Sequence, residues 1–183
     1  MSTHSTARLV RSVTEHDHVR GPATALVTLL EYGDYQCPYC GEAYPVVEQL
    51  RQWAGENMRF VFRHFPLTQA HPFAEPAAEA AEAAGARGKF WEMHDMLYTH
   101  QQSLDSVHML RYAARIGLDP AEIGEELLAR QYQQRVHEDF LGGVRSGVNG
   151  TPTFFIDDVR YDGVPDFDSL SAALELAADT RLH

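Results

Sequence analysis

The chain has 183 residues, enough for one well-buried core and short for two. Its 44 % hydrophobic and 22 % charged residues are ordinary for a globular domain. A net charge of −11 argues against nucleic acid or an anionic membrane surface as partner, and no stretch reaches the ~18 consecutive apolar residues of a membrane-crossing helix.

Residues 1–20 mix Ser, Thr, His, Arg and acids and read as an extended arm or a short edge element. They contain no apolar run followed by a small-residue cleavage site, so a cytoplasmic setting is expected. His16-Asp17-His18 offers two histidines but no further ligand nearby, and reads as solvated tail. Gly21-Pro22 marks a turn. Ala25–Leu30 is a short, nearly continuous apolar run, which suits a strand covered on both faces.

After a loop from Gly33 to Gln36 comes Cys37-Pro38-Tyr39-Cys40, the only two cysteines of the chain. A helix is expected from about Pro38 to Trp53, with Val46, Leu50 and Trp53 on one face and Pro45 inside it. Asn57–Phe65 alternates in part and reads as the next strand, completing a β-α-β unit.

From 68 to 147 the pattern turns helical. Helices are expected over Glu75–Ala84, Lys89–His100, Asp105–Ile116, a segment opened by the capping box Asp119-Pro120-Ala121-Glu122, and Gln131–Val144. Strand signals return at Thr153–Ile156 and Val159–Tyr161, with Asp157-Asp158 as the turn of a hairpin. Asp166 or Asp168 caps a last helix over Phe167–Ala178.

Two cysteines three apart cannot staple a long loop; at a strand-to-helix junction they read as a thiol–disulfide redox centre. Only a thiolate attacks a disulfide, and a free cysteine titrates near about 8.5. Cys37 falls where the helix begins, where the dipole's positive end favours negative charge. Pro38 suits the first helical turn. Cys40, one turn on, is expected to point inward beneath Cys37. Cys37 is therefore read as the nucleophile and Cys40 as the resolving thiol. The competing reading is half of a zinc or iron–sulfur site. It needs ligands that only a second copy of the chain supplies, so no metal and no cofactor are expected. Asp34 reads as loop surface. His64, His71 and His94 read as polar faces or satisfied interior groups, and Tyr35 and Tyr39 as lining of a substrate groove.

Cys37-Pro38-Tyr39-Cys40, with Gly150-Thr151-Pro152-Thr153-Phe154 opening a later strand, resembles the thioredoxin superfamily and its DsbA-like branch. The stretch from Arg20-Gly21-Pro22 through Glu31-Tyr32-Gly33-Asp34 to the cysteines, then Phe62-Arg63-His64-Phe65-Pro66, is similar to cytosolic DsbA-like domains, including those fused to NhaA-type sodium/proton antiporters. The resemblance implies an α/β fold: a thioredoxin fold with a helical insertion between its β-α-β and β-β-α halves. It divides the chain into an arm (1–20), a thioredoxin-like domain (21–67 and 148–183) and an inserted helical domain (68–147).

The resemblance also implies site roles. Glu31, six residues before Cys37, would be a buried acid that relays a proton to or from the buried cysteine. Pro152 would be a cis proline facing the cysteines, with the backbone of Thr151 presented to an extended substrate. Pro38 and Tyr39 would complete the substrate contacts. A threonine before that proline, where the oxidases tend to carry valine, leaves reductase and isomerase open. The expected function is thiol–disulfide oxidoreduction on protein or small-molecule thiols, without nucleic acid or membrane as partner. The alternatives are a glutathione-dependent enzyme, glutaredoxin-like or related to the kappa-class transferases, and a redox- or metal-sensing binding module.

Overall fold

The computed structural model describes residues 7–182, with no side chain described for Leu182. It holds five strands and seven α-helices: β1 (His18–Arg20), β2 (Val27–Gly33), α1 (Pro38–Ala54), β3 (Met58–His64), α2 (Ala74–Gly85), α3 (Phe90–Thr99), α4 (Ser106–Arg115), α5 (Pro120–Leu128), α6 (Gln133–Arg145), β4 (Thr153–Ile156), β5 (Val159–Tyr161) and α7 (Phe167–Leu182). The order is the expected one, β-α-β, helices, β-β-α, with β1 added in front. The chain clusters into two compact units. One comprises residues up to Tyr32, Glu42–Arg63 and everything from Gly142; the other comprises Gly33–Gly41 and His64–Leu141.

The first unit is built on one sheet of order β1-β3-β2-β4-β5. β1 runs antiparallel to β3, and β4 antiparallel to both β2 and β5. β2 is buried along its whole length, as its unbroken apolar run requires. Leu29, Leu30, Val61, Phe62 and Phe155 are at most 1 % exposed and form the core with Leu50 of α1 and Leu170 and Leu174 of α7. The hairpin turn is made by Asp157 and Asp158, at φ 47° and 69°. Two positive φ values in a two-residue loop match the twist of the flanking strands, and aspartate tolerates them better than most residues. Gly21, at φ +107°, lies so close to the Met58 carbonyl that a side chain there would meet backbone.

Two expectations about this unit are corrected. The buried face of α1 is Cys40, Ala43, Val47 and Leu50, while Trp53 is 45 % exposed and Val46 is only half-buried. The seam lies one residue away from the expected one because it starts at Cys40. His16-Asp17-His18 is not solvated tail either, while β1 supplies the expected short edge element; residues 1–6 of the arm lie outside the described residues. The Asp17 side chain is fully buried and receives two bonds from Arg63, Nε to Oδ1 at 2.7 Å and Nη2 to Oδ2 at 3.0 Å. Arg63, itself 0 % exposed, also donates to the carbonyls of Arg11 (2.8 Å) and Ser12 (3.1 Å) and to the Tyr32 hydroxyl (3.2 Å). A buried guanidinium must fill its fork of donors, and the arm supplies the acceptors.

The second unit centres on α2. Its sequence Ala-Glu-Pro-Ala-Ala-Glu-Ala-Ala-Glu-Ala-Ala-Gly is buried nearly all round, and α3, α4 and α5 pack against it. Alanine favours the helix and lets neighbouring backbones come close. The acids on this buried helix are paired: Glu82 with His64 Nε2 at 2.7 Å, Glu79 with Arg130 Nε at 2.7 Å. Asp119 caps α5 through the Ala121 N–H, while Glu122 turns to Arg87.

Candidate active site

The loop after β2 and the first turn of α1 carry the two cysteines, and Asp34 organises this junction. The Asp34 carbonyl accepts from the Cys37 N–H (3.1 Å). Its Oδ1 accepts from the Gln36 N–H (2.8 Å) and the Cys37 N–H (3.2 Å). This is an aspartate turn directly ahead of a helix, the local bonding for which aspartate is preferred there. The Cys37 carbonyl accepts the first intrahelical bond, from Gly41 N–H at 3.1 Å. Cys37 is therefore the cap residue of α1, and Pro38 is its first helical residue, where a missing N–H costs nothing. Gln101 crosses this junction: its Nε2 donates to the carbonyls of Tyr35 (3.0 Å) and Cys37 (2.7 Å). Gly41 leaves room for that carboxamide, which a methyl group there would strike.

Both cysteines are free thiols, Cys40 at 0 % exposure and Cys37 at 3 %. The Cys40 sulfur accepts from the Asp34 N–H at 3.5 Å. Pro38 and Tyr39 between them are exposed, Tyr39 at 67 %. A surface recess of about 380 Å³ borders the junction, lined by Gln36, Pro38, Phe73, Gln101, Leu104 and Asp105 among others.

Glu31 lies inside β2, not at its end, and is 3 % exposed. The β2–β4 ladder sets it opposite Phe154, and Tyr32 opposite Thr153. The Thr151–Pro152 peptide, just ahead of β4, is cis, and both residues are half-buried. Glu31, Thr151 and Pro152 thus share one end of the β2–β4 ladder. Cys37, Pro38, Tyr39 and Cys40 share the start of α1.

Two residues are placed differently from expectation. Asp34 is not loop surface: its side chain is fully buried and it takes two further donors on Oδ2, Leu67 N–H (2.9 Å) and His71 Nδ1 (2.8 Å). Tyr35 lines no groove. It is 1 % exposed, its hydroxyl lies 3.0 Å from His94 Nδ1, and its ring packs on Tyr98. His71 is a partly buried, satisfied group, as expected, and it closes the Asp34 network. An aspartate three residues before Cys37 and a proline after it is a turn-and-cap signal legible in the sequence. Nothing local signals His71 or Gln101.

Two cysteines at the start of a helix, with a strand–helix–strand unit before a helical insertion and a strand hairpin after it, define a thioredoxin-fold domain. A family model described as Thioredoxin matches residues 13–176, and the chain belongs to that family. Among solved structures, it is similar to oxidised BdbD from Bacillus subtilis (TM-score 0.85, 19 % identity, covering 95 % of this chain and 97 % of that one). A thioredoxin-like oxidoreductase from Silicibacter pomeroyi matches with TM-score 0.80 and 29 % identity, over 91 % of this chain and 94 % of that one. Among curated relatives, it is 50 % identical over 170 residues to the Na(+)/H(+) antiporter NhaA 1 of Salinispora arenicola and 47 % identical to NhaA 3 of Salinispora tropica. Each match covers 92 % of this chain and 26 % of the relative, so the chain spans about a quarter of the length of these proteins. Among the described residues, no helix is long and apolar enough to cross a membrane.

Proposed function

We propose that the chain is a thiol–disulfide oxidoreductase that exchanges disulfides with protein thiols through Cys37 and Cys40. The observation that carries this reading is the arrangement of the two sulfurs. Cys37 caps α1 at the positive end of its dipole, while Cys40 is enclosed one turn on and held by the Asp34 amide. In the reducing direction the Cys37 thiolate attacks a substrate disulfide, forming a mixed disulfide and releasing one substrate thiolate. Cys40 then loses its proton and attacks the Cys37 sulfur, which releases the second substrate thiolate and leaves the Cys37–Cys40 disulfide. Two electrons pass to the substrate, and the oxidising direction is the same path reversed.

Glu31 is the proposed acceptor of the Cys40 proton. Burial in β2 suits it to hold and release a proton near neutral pH. Thr151 and Pro152 are the proposed backbone platform for an extended substrate, with Pro38 and Tyr39 completing the contacts. The recess beside Pro38 offers carboxamides, Phe73, Leu104 and the acid Asp105, and no cation lines it. That lining supports a peptide over glutathione, whose carboxylates seek basic groups. A cytoplasmic setting and a link to an antiporter domain, as in the relatives, belong to the same proposal and are tested by fractionation of the host cell.

Cys37→Ser is expected to abolish turnover of a disulfide-bonded protein substrate, and Cys40→Ser to accumulate a mixed disulfide visible by mass. Full activity in Cys37→Ser would overturn the reading. Glu31→Gln is expected to slow release of the mixed disulfide on the order of 10²-fold at neutral pH, measured by rapid quench. Glutathione-dependent turnover that survives in Cys40→Ser would instead favour the glutathione enzyme.

A further inference from the structure

We propose that Asp34 and His71 form a positioning and charge-compensating pair for the redox centre, with Asp34 holding the loop that carries Cys37 and His71 offsetting the carboxylate charge that would oppose a thiolate there. This inference rests on Cys37 being the nucleophile.

Asp34 is bonded to both cysteines. Its Oδ1 takes the Cys37 N–H at 3.2 Å, and its own N–H reaches the Cys40 sulfur at 3.5 Å. The carboxylate is fully buried and accepts four hydrogen bonds, from Gln36, Cys37, Leu67 and His71. Four donors suit an ionised carboxylate, which is acceptor-only. Its negative charge sits against an amide only three bonds from the Cys37 sulfur, so it opposes ionisation of that thiol. The same Oδ1 also occupies the Cys37 N–H, one of the backbone dipoles at the start of the helix. Left alone, Asp34 would work against the helix dipole.

His71 corrects this. Facing a carboxylate, its Nδ1 carries a proton in either charge state, and the side chain is 18 % exposed, open to solvent protons. With an imidazolium the pair is neutral; with a neutral imidazole it carries one negative charge. Other titratable groups around the loop are committed elsewhere. The Tyr35 hydroxyl lies against His94, Glu75 and Glu79 of α2 pair with Arg130, and Glu82 pairs with His64. In the connection between α3 and α4, Asp105 pairs with His108, and Gln101 is neutral. Asp34 bonds the Cys37 amide, and His71 bonds Asp34.

The test uses the reduced full chain and follows alkylation of Cys37, resolved by mass, against pH. It needs no substrate turnover, so it stands apart from the test of the proposed function. Asp34→Asn keeps an acceptor on the Gln36 and Cys37 amides but removes the charge. Its Cys37 titration midpoint is expected to fall by about one pH unit, a tenfold change in thiolate stability, with the glutathione redox equilibrium moving about tenfold toward the dithiol. His71→Gln keeps a donor to Asp34 but no titratable charge, and is expected to move both readouts the opposite way. Residue 71 lies at the surface, so this variant keeps the test decisive if Asp34→Asn folds poorly. Opposite signs separate the proposal from a purely structural role, in which both variants loosen the loop alike. Shifts of the same sign, or none, would overturn it.

Discussion

Gln101 shows how a single side chain can hold the start of a helix. Its carboxamide ties the carbonyls of Tyr35 and Cys37 together, and so fixes the angle at which the loop enters α1. Gln101→Ala removes two hydrogen bonds and is expected to cost about 1–3 kcal/mol, measured by urea unfolding. It should also broaden the Cys37 alkylation profile, because the helix start is no longer held in one geometry. Gly41→Ala drives a methyl group into the same carboxamide and is expected to act in the same direction. At this scale the cysteine spacing and Pro38 were legible, because redox pairs and helix starts are local patterns. Asp34 was half legible: its place in the chain signals a turn, but only burial reveals what the turn holds.

Among the elements, β3 and the arm before β1 depend on the Asp17–Arg63 pair. Burial alone would raise the Asp17 carboxyl. Hydrogen bonds from Arg63 and the Thr14 amide, with the charges of Arg63 and Arg11, outweigh it and hold the group below its ordinary range. A carboxyl that is more acidic in the folded chain contributes stability above its unfolded value, near about 3.9, and that contribution is lost as pH falls through the folded value. Asp17→Asn leaves Arg63 buried without a counter-charge and is expected to cost about 3–5 kcal/mol at neutral pH. The loss should shrink when both proteins are unfolded by urea at a pH low enough to protonate Asp17. No alternation or propensity signals this pair, whose partners lie 46 positions apart. In α2 the sequence showed helix but not depth. Ala80 is 0 % exposed, so Ala80→Leu is expected to destabilise by about 1–3 kcal/mol or more through overpacking, although leucine is a good helix former. A thermal melt checks it.

For the molecule as a whole, the net charge of −11 sets behaviour that no single contact does. Self-repulsion among 26 acids against 15 basic residues opposes compaction and is screened by salt. The melting temperature is expected to rise between about 0.01 M and 0.15 M salt, where the Debye length falls from about 30 to 8 Å. A flat response would show that the acids are already locally compensated, as Glu79, Glu82 and Asp139 are within the helical unit.

The order of elements, the cysteine pair at a helix start and the helical insertion were all readable from the chain itself. Each arises from interactions between residues a few positions apart: apolar periods, capping aspartates, proline at a helix start, a two-aspartate turn. Which polar groups lie inside was decided only by the tertiary structure. Asp17, Asp34, Arg63, His64 and Glu82 are all buried, and each is stabilised there by a partner remote in sequence. A polar side chain by itself belongs in water. It enters the interior only where folding brings a matching donor or acceptor to it, and that matching is a property of the packed chain, not of any local stretch.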